Sequence, residues 1–361
     1  MWFASSDRFS QANSYVRVSL RVVNPIIYQG WDELLLSHPD HSIFHTTGWA
    51  RVLIDSYGFT PHYFLSVEDG KIAVAMPMME IRNFGTGTRG VSLPFSDYCD
   101  PLLSGNVRLQ DVLGNAIEYG KKKKLTSLEI RTRKEVPEEV SPYSYYLHHD
   151  LDITEGEEKL FSRFRGSNQR NIKNATRKGV EVKFQTSLEA VEKYYALHCG
   201  TRKMHGLPPQ PFSFFRNIQK HILSKGNGFV ALANYRGESI AGGIYVHSGE
   251  KALFKFGASE ARYQELRANN LLMWEAIRWY SRNGFRNFSF GRTDPENEGL
   301  RNYKRGWGSN ENKIANIKYE IKKNKYSNKK KITYGFHNKI FNHLPVSISK
   351  LISGMIYKYM G

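Results

Sequence analysis

The sequence has few cysteines, few acidic residues and no long apolar runs. Cys99 and Cys199 are the two cysteines among 361 residues, so they form neither a disulfide framework nor a metal-ligand cluster, and they fit a reducing compartment. No apolar run is long enough to cross a bilayer, and residues 1–20 lack the apolar core of a signal peptide. We therefore expect a cytoplasmic protein that can attach peripherally to the inner face of the cytoplasmic membrane.

The shortage of acidic residues leaves a large positive charge. The chain has 52 Lys and Arg residues against 34 Asp and Glu residues, a net charge of +18. An anionic partner is expected, either nucleic acid, a phosphorylated substrate or an anionic membrane, and charge alone does not choose among the three. Since 40% of the residues are hydrophobic and 13% aromatic, disorder of the whole chain is excluded, and its length suffices for two domains with their own cores.

One stretch, residues 229–290, carries the clearest structural pattern. Two turns, Arg236-Gly237-Glu238 and Ser248-Gly249-Glu250, divide residues 229–256 into three strands of an antiparallel meander. Residues 271–280 are rich in helix formers, and residues 285–290 alternate apolar and polar side chains as a half-buried strand does. A meander, a crossover helix and a returning strand predict a mixed sheet, with ligands bound beyond the strand ends.

The loop before this helix is the expected phosphate site. A helix start attracts anions because its first N–H groups have no partner and because the helix dipole is positive there. The residues expected to bind the phosphates of a carrier are Arg262, Arg267, Asn269 and Asn270.

The first part of the chain repeats the same plan. Residues 67–72 resemble residues 234–240, and residues 116–130 align without a gap to residues 276–290, after which the second copy has an additional Gly291. Self-similarity of this kind predicts an α/β (α+β) protein of two tandem domains, each with a mixed, mostly antiparallel sheet flanked by helices. The expected divisions are a polar extension (1–18), a first domain (19–144), a second domain (145–321) and a basic tail with an amphipathic helix (322–361).

Two basic segments leave alternatives open. Residues 161–180 contain no acidic residue, and Arg163, Arg170 and Arg177 share one helical face if Gly166 does not break the helix. That face is either solvated or a clamp for phosphate or an RNA backbone. The helix of the tail either docks on the core, which we favour, or lies on a membrane surface with its lysines near anionic headgroups.

Candidate reactive residues follow the strand that ends at Phe290. We expect a general base among the carboxylates that come next, with Glu298 preferred and Asp294 second, although a carboxylate at a helix start is also ordinary. Tyr98 and Tyr245 are expected to hydrogen-bond a developing oxyanion if they face the cleft. The residues expected to contact the substrate are Asp97, Arg165, Arg170, Lys173, Arg292, Lys304 and Trp307.

The order of these segments resembles the FemAB-like branch of the GNAT acyltransferase superfamily, whose members carry two such domains in tandem. The resemblance rests on residues 92–98 (Ser-Leu-Pro-Phe-Ser-Asp-Tyr), 170–180, 269–272 and 290–308, and it spans about residues 30–320. It implies transfer of an acyl or aminoacyl group to an amine, commonly on a cell-envelope precursor such as a peptidoglycan or polysaccharide intermediate.

The same resemblance implies a carrier as co-substrate, either acyl-CoA or aminoacyl-tRNA, with no permanently bound cofactor and no metal. Residues 262–270 contain no glycine, whereas the acyl-CoA loop of ordinary acetyltransferases is rich in glycine, and this departure weakens the acyl-CoA alternative. Partners implied are a phosphorylated or lipid-linked envelope precursor, with tRNA and an anionic membrane surface as further candidates. The competing hypothesis is a non-catalytic RNA-binding or membrane-peripheral protein of envelope or exopolysaccharide assembly.

Overall fold

A computed structural model describes residues 19–327, except 84 and 86, and residues 345–360. The extension expected at residues 1–18 and the lysine run at 329–331 lie outside these residues.

The described residues of the first half contain eight strands and three α-helices. In chain order these are β1 (Arg21–Val23), α1 (Trp31–Leu36), α2 (Thr47–Tyr57), β2 (Thr60–Pro61), β3 (Tyr63–Glu68), β4 (Lys71–Met76), β5 (Met79–Asn83), β6 (Gly87–Val91), β7 (Leu102–Leu103), α3 (Leu109–Lys122) and β8 (Ser127–Thr132). Helix α2 ends at Gly58, which adopts the left-handed conformation that glycine accepts at a helix end.

The second half contains the expected meander, crossover helix and returning strand. Its elements are β9 (Ser144–Asp152), α4 (Glu157–Arg163), α5 (Gly166–Arg177), β10 (Glu181–Gln185), α6 (Leu188–Met204), α7 (Phe212–His221), β11 (Gly228–Tyr235), β12 (Glu238–Ser248), β13 (Lys251–Ser259), α8 (Ala268–Arg282), β14 (Asn287–Thr293), α9 (Glu298–Arg305), β15 (Asn310–Glu320), β16 (Lys325–Tyr326) and α10 (Val346–Met360).

The two halves share one large sheet. Its strands follow the order β10-β11-β12-β13-β14-β9-β15-β8-β6-β5-β2, while β1, β3, β4 and β7 form a separate sheet in the first half. Strand β15 pairs with β9 on one side and with β8 of the first half on the other, where Ile317 faces Ile130. Main-chain hydrogen bonds therefore join the halves across a continuous seam.

Both halves repeat the same parallel pairing at the aligned positions. In the first half, residues 89–91 of β6 pair with residues 127–129 of β8. In the second half, residues 251–253 of β13 pair with residues 287–289 of β14. In the ungapped alignment of residues 116–130 with 276–290, residues 127–129 correspond to residues 287–289. The two parallel pairs therefore occupy equivalent positions, as a duplicated plan predicts.

The additional glycine of the second copy forms a β-bulge. The register between β14 and β9 shifts between Ser289 and Arg292, whereas β8 pairs with β15 without a shift. Gly291 has φ +69°, a conformation that glycine adopts without steric strain. The bulge redirects the end of β14, which carries Arg292.

Helix packing closes the halves against each other on the side of α2 and α7. A Cβ atom at Gly48 of α2 would lie 2.8 Å from the carbonyl oxygen of His221 in α7, so only glycine permits this approach. Around it, Trp49 and Phe214 pack edge to face with centroids 6.1 Å apart. The largest hydrophobic core therefore contains residues of both halves.

Candidate active site between the two halves

The site begins where two neighbouring parallel strands diverge. Strands β13 and β14 pair over three residues, ending at Leu253 and Ser289, yet β13 continues to Ser259 and β14 to Thr293. We call the space between the diverging ends the strand gap. Strand edges that leave a ladder present N–H and C=O groups to an extended ligand.

Asp97 of the first half enters the strand gap of the second half. One carboxylate oxygen, Oδ1, accepts the backbone N–H of Arg292 at 3.1 Å, and the other, Oδ2, lies 2.7 Å from Nζ of Lys255 on β13. The side chains of Asp97 and Lys255 are only 13% and 6% exposed. A single carboxylate thus contacts both diverging strands.

Lys255 and Arg292 contact this carboxylate, Lys304 interacts with its charge, and the charge of Arg131 acts on Lys255 and Arg292. We call these four residues the cationic cluster: Arg131, Lys255, Arg292 and Lys304. Burial lowers the pKa of Lys255, the Asp97 carboxylate opposes this, and the charges of Arg292 and Arg131 lower the pKa further. Burial and the charge of Arg292 also lower the pKa of Arg131, to about 10. Burial alone would raise the pKa of Asp97, but the neighbouring charges of Lys255 and Arg292 hold it below its usual value.

Lys304 is the most unusual member of the cationic cluster. It lies in the last turn of α9, is 4% exposed, and its Nζ donates to the backbone oxygens of Gly291 at 3.0 Å and Arg292 at 3.2 Å. Burial lowers its pKa to about 8; Asp97 opposes the shift, and the charges of Arg292 and Lys255 add to it. A buried amine that titrates near neutral pH is suited to accept a proton.

Aromatic and acidic residues of β9 form the next layer of the site. The Arg292 guanidinium lies over the Tyr146 ring, 4.3 Å from its centroid. Two residues along the strand, His148 Nε2 lies 2.7 Å from Asp150 Oδ1. Arg133 covers the Tyr98 ring at 3.9 Å and pairs with Asp150 at 3.6 Å, so this layer links the two halves.

Residues 162–305 match the acetyltransferase (GNAT) domain family. We call the second half, which contains this match, the GNAT domain. No curated protein matches the chain in sequence. The structure is similar to that of FemX, with a TM-score of 0.65 and 14% identity over 82% of this chain and 96% of FemX.

A second similar structure is the C-terminal domain of a putative lysylphosphatidylglycerol synthetase from Agrobacterium fabrum. The TM-score is 0.51, with 13% identity over 75% of this chain and 86% of that domain. The likeness to FemX and the repeated strand pairing confirm the expected fold of two tandem GNAT-like domains. This fold agrees with the resemblance to the FemAB-like branch that the sequence suggested.

The structure brings together three of the residues expected to contact the substrate. Asp97, Arg292 and Lys304 meet at the strand gap of the GNAT domain. The sequence did not single out Lys255 or Arg131, which complete the cationic cluster. Lys255 stands alone on its strand. Arg131 is the counterpart of Arg292 in the alignment of the two halves, but only the folded chain shows that both arginines lie near Lys255.

Two expected site residues lie instead in the core of the GNAT domain. Tyr245 is fully buried, with its hydroxyl 4.0 Å from the sulfur of Met273, so it does not face the cleft. Trp307 is also fully buried and packs edge to face on Phe164, 5.0 Å between centroids. Their large apolar surfaces are used for packing, and neither contacts a substrate in the cleft. Tyr98 differs, because it stacks beneath Arg133 at the junction of the halves.

The two carboxylates expected to act as a base lie at the start of α9. Glu298 is exposed in the first turn of this helix, where a carboxylate interacts favourably with the helix dipole. Asp294 accepts the backbone N–H of Glu296 at 3.0 Å and thereby stabilises the preceding turn. These contacts support the alternative of a helix-start charge, whereas Lys304 at the other end of α9 is buried beside the strand gap.

The helix start expected to bind phosphates is present, but its residues differ in accessibility. Helix α8 begins after Arg267, which has φ +58° and provides no side-chain cap. Asn269 is exposed and bonds to Ser259 at 3.0 Å, and Arg262 pairs with Glu238 at the surface. Asn270 is buried and donates to Asn168 at 3.3 Å, so it stabilises the packing of α5 on α8 and is shielded from a phosphate.

The basic segment does not form one continuous helix. Helix α4 ends at Arg163, Phe164 is extended, and α5 starts at Gly166. Arg163 therefore does not share a helical face with Arg170 and Arg177. Arg165, Arg170 and Lys173 are exposed, so they remain available to an anionic partner.

Two further features bear on the candidate site. Among the described residues, no group of three or more His, Cys, Asp or Glu side chains is arranged to hold a metal ion. In the same part of the chain, no helix has both the length and the apolar character that crossing a membrane needs.

Replacing Gly291 with alanine should disturb the site directly. A Cβ atom there would lie 3.1 Å from Oδ1 of Asp97 and 3.3 Å from the backbone oxygen of Phe254, at a φ of +69° that alanine rarely adopts. We expect a loss of about 1–3 kcal/mol of stability, with a weaker Asp97 contact. Urea denaturation measures the loss. The control is Gly299→Ala, since Gly299 is helical and a Cβ atom there would meet only Asn297 Oδ1 at 3.8 Å. Equal stability of the two variants contradicts the expectation.

Proposed function

We propose that this protein is an N-acyltransferase that moves an acyl or aminoacyl group from a carrier to an amine on a phosphorylated or lipid-linked cell-envelope precursor. The observation that carries the proposal is the position of Lys304, a buried amine with a pKa of about 8 beside the strand gap of a GNAT domain. The cationic cluster around it supplies an excess of positive charge for an anionic substrate.

The proposed reaction uses the groups of the strand gap as follows. The acceptor amine attacks the acyl carbonyl carbon, a C–N bond forms, and the carbonyl oxygen takes up negative charge. Lys304 in its neutral form accepts the proton that the attacking nitrogen loses. The bond from the acyl carbon to the carrier then breaks, and the carrier leaves as a thiol or hydroxyl after taking this proton back from Lys304. Buried cations next to the developing negative charge lower the barrier because the site excludes water.

Asp97 has the role of holding this arrangement in place. It bonds to both strands of the gap and orients the Lys255 ammonium, so its removal would leave a buried cation without a counter-ion. In the proposed reaction Arg292 binds the anionic part of the acceptor, since its guanidinium is fixed on the Tyr146 ring. A planar guanidinium held in one orientation binds phosphate with two parallel hydrogen bonds.

Two carriers are compatible with the proposal. Acyl-CoA is supported by the match to the acetyltransferase domain family. Aminoacyl-tRNA is the other proposed carrier, because the exposed basic residues Arg170, Lys173 and Arg177 of α5 offer positive charge to an RNA backbone. The envelope acceptor rests on the likeness to FemX and to the putative lysylphosphatidylglycerol synthetase, and attachment at the inner face of the cytoplasmic membrane stays a prediction from sequence.

Thermal-shift measurements separate the two carriers, because a ligand that binds only the folded protein raises its melting temperature. Acetyl-CoA, CoA, charged tRNA and uncharged tRNA are the probes. A shift with acetyl-CoA and CoA identifies the thioester carrier, and a larger shift with charged than with uncharged tRNA identifies the aminoacyl carrier. Equal shifts with both tRNA forms, together with no product from any donor, support the competing RNA-binding function.

Arg292→Ala tests the proposed acceptor site. Losing one charge-assisted contact of about 1.5–3 kcal/mol should raise KM for the phosphorylated acceptor by roughly 10–100-fold, with a smaller change in KM for the donor. Arg286→Ala is the matched control, since Arg286 lies near the other end of the same strand and its side chain is 69% exposed. An unchanged acceptor KM in Arg292→Ala removes this residue from the acceptor site.

A further inference from the structure

We infer that the C-terminal helix α10 positions Asp97, and that Tyr357 is the residue through which it does so. The inference rests on the proposed function in one respect, because the alignment of Asp97 matters through the acyl-transfer site. The link between α10 and the loop of residues 92–97 does not depend on that function, because the contacts that form it lie outside the acyl-transfer site.

The loop that carries Asp97 contains two strained residues. Leu93 has φ +44° and Phe95 has φ +59°, although neither is glycine. Residues in this left-handed region persist only where their surroundings hold them, and they are concentrated at functional sites. The position of Asp97 therefore depends on the groups that pack against this loop.

One side of the loop is held by the first half itself. Ser96 Oγ donates to the backbone oxygen of Leu93 at 2.7 Å, and an Arg131 guanidinium nitrogen donates to the same oxygen at 3.3 Å. Both contacts act on Leu93, at the start of the loop. Phe95, which is closer to Asp97, is held by aromatic packing.

The other side of the loop is covered by α10. The Tyr357 ring lies 5.8 Å from the Phe95 ring, centroid to centroid, and Tyr357 is 6% exposed. Its hydroxyl donates to the backbone oxygen of Pro208 at 3.0 Å and accepts from Arg202 at 2.9 Å. Tyr357 therefore connects the strained loop of the first half to a fixed point on the second half.

The end of α10 is attached to the first half as well. An Arg89 guanidinium nitrogen donates to the backbone oxygen of Tyr359 at 3.0 Å, and Arg89 lies on β6, the strand that leads into the strained loop. The helix thus contacts both the strand before the loop and the loop itself.

The surface by which α10 docks is narrow and specific. Among the residues of α10 whose side chains the structure describes, Ser349, Ser353 and Tyr357 are buried and four apart, so they form one stripe along the helix. The two small serines allow close approach, and Tyr357 is the large side chain of these three, whereas Ile348 on another side is 44% exposed. This docking agrees with the favoured interpretation of the tail, and it concentrates the contact with the loop in one ring.

Phe95 also packs against Tyr57, Phe59 and Phe214, so loss of the Tyr357 ring should loosen the loop without unfolding it. The loosened loop should displace the Asp97 carboxylate from the Arg292 N–H and from Lys255. Small displacements in a reacting centre lower rates by on the order of 10²-fold. Tyr357 is thus a positioning residue that acts through Asp97, and it does not contact the reacting atoms.

Hydrogen–deuterium exchange of the full chain tests the inference without any substrate. In Tyr357→Ala, we expect the amides of residues 92–97 and of Arg292 to exchange at least about tenfold faster than in the wild type, at an unchanged thermal midpoint for the bulk of the chain. Tyr357→Phe keeps the ring on Phe95 but loses the hydrogen bonds to Pro208 and Arg202, so its exchange should lie between that of the wild type and that of Tyr357→Ala. Lys358→Ala, on the exposed side of the helix, is the control.

Ser353→Arg provides an independent way to undock the helix, because Ser353 is fully buried. If residues 346–360 exchange rapidly in this variant while residues 92–97 keep wild-type protection, the inference is overturned. The same holds if Tyr357→Ala leaves residues 92–97 unchanged. Neither outcome depends on whether the chain transfers acyl groups.

Activity measurements then test the route through Asp97. Tyr357→Ala should lower kcat by roughly 10–100-fold with little change in donor KM. When Asp97→Asn is already present, the same substitution should lower kcat by less than about twofold. An equal decrease of kcat with and without Asp97→Asn contradicts an effect through Asp97. If the wild type turns over no donor, the proposed function fails, and the exchange experiment still decides the inference.

Discussion

Replacing Lys304 with methionine should lower the rate of acyl transfer by about 10²–10⁴-fold while the fold persists. Methionine keeps most of the side-chain volume but cannot accept a proton. The buried environment of Lys304 lowers the pKa of its amine to about 8, so the amine is poised to take a proton from the acceptor near neutral pH. Single-turnover kinetics with saturating donor and acceptor measure the loss.

The melting temperature of the same variant should distinguish a functional from a structural role of Lys304. A folded-state pKa below the unfolded value of 10.5 means that the unfolded chain binds the proton more tightly. Below pH 8 the charged, buried Lys304 therefore costs stability, and the cost disappears as the pH rises through the unfolded pKa. Lys304→Met should melt at the same or a higher temperature at pH 7. The control is Lys313→Met, because Lys313 is exposed. If Lys304→Met turns over substrate at the wild-type rate, Lys304 has no role in the mechanism.

Asp97→Asn should destabilise the protein by about 3–5 kcal/mol, because it leaves the buried Lys255 ammonium without its counter-ion. The two side chains are 13% and 6% exposed and 2.7 Å apart. The double variant Asp97→Asn/Lys255→Met should recover most of this loss, since it removes both charges. Asp40→Asn is the matched control: the side chains of Asp40 and Lys134 are 44% and 31% exposed, and breaking an exposed pair costs about 0–1 kcal/mol.

The pH dependence of this pair has a defined sign. The charges of Lys255 and Arg292 hold the pKa of Asp97 below 3.8 in the folded state, so the ion pair contributes its full stability above that pH. The contribution is lost as the pH falls through the folded-state pKa. Urea denaturation of the wild type and Asp97→Asn at pH 7 and at pH 3 should show a smaller difference at pH 3. A difference that grows on acidification contradicts the assigned pairing.

Local patterns accounted for most of the GNAT domain. The turns at Arg236-Gly237 and Ser248-Gly249, the helix formers of α8 and the alternation along β14 are short-range signals, and the structure contains all three elements. The additional Gly291 was visible in the alignment of the two halves, and the register shift at that residue gives its physical meaning. Such features can be found from sequence because each depends on neighbours within a few residues.

The pairing of strands that lie far apart in the chain could not be predicted from the sequence patterns. Strand β15 pairs with β8, about 185 residues earlier, and nothing in either strand specifies that partner. The hairpin of β5 and β6 was also missed, although β6 leads into the loop that carries Asp97. Lys255 and Arg131 are single basic residues on strands, and only the convergence of both halves gives them a common environment.

Single aromatic residues were the weakest basis for site prediction. Tyr245 and Trp307 are polar enough at one edge to suggest contact with a ligand, yet both fill the core. Asn270 has a similar ambiguity, because the same amide that suits a phosphate also bonds to Asn168. Burial decides between the two uses, and burial of a single side chain depends on the whole fold.

The pH dependence of kcat/KM for acyl transfer, measured from pH 6 to 10 in the wild type and in Lys304→Met, tests the central claim most directly. We predict that the wild-type value rises with pH and levels off above about pH 8, the value to which burial lowers the pKa of Lys304, and that this inflection is absent from the residual activity of the variant. The same inflection in both proteins would contradict the assignment of Lys304 as the proton acceptor of the site.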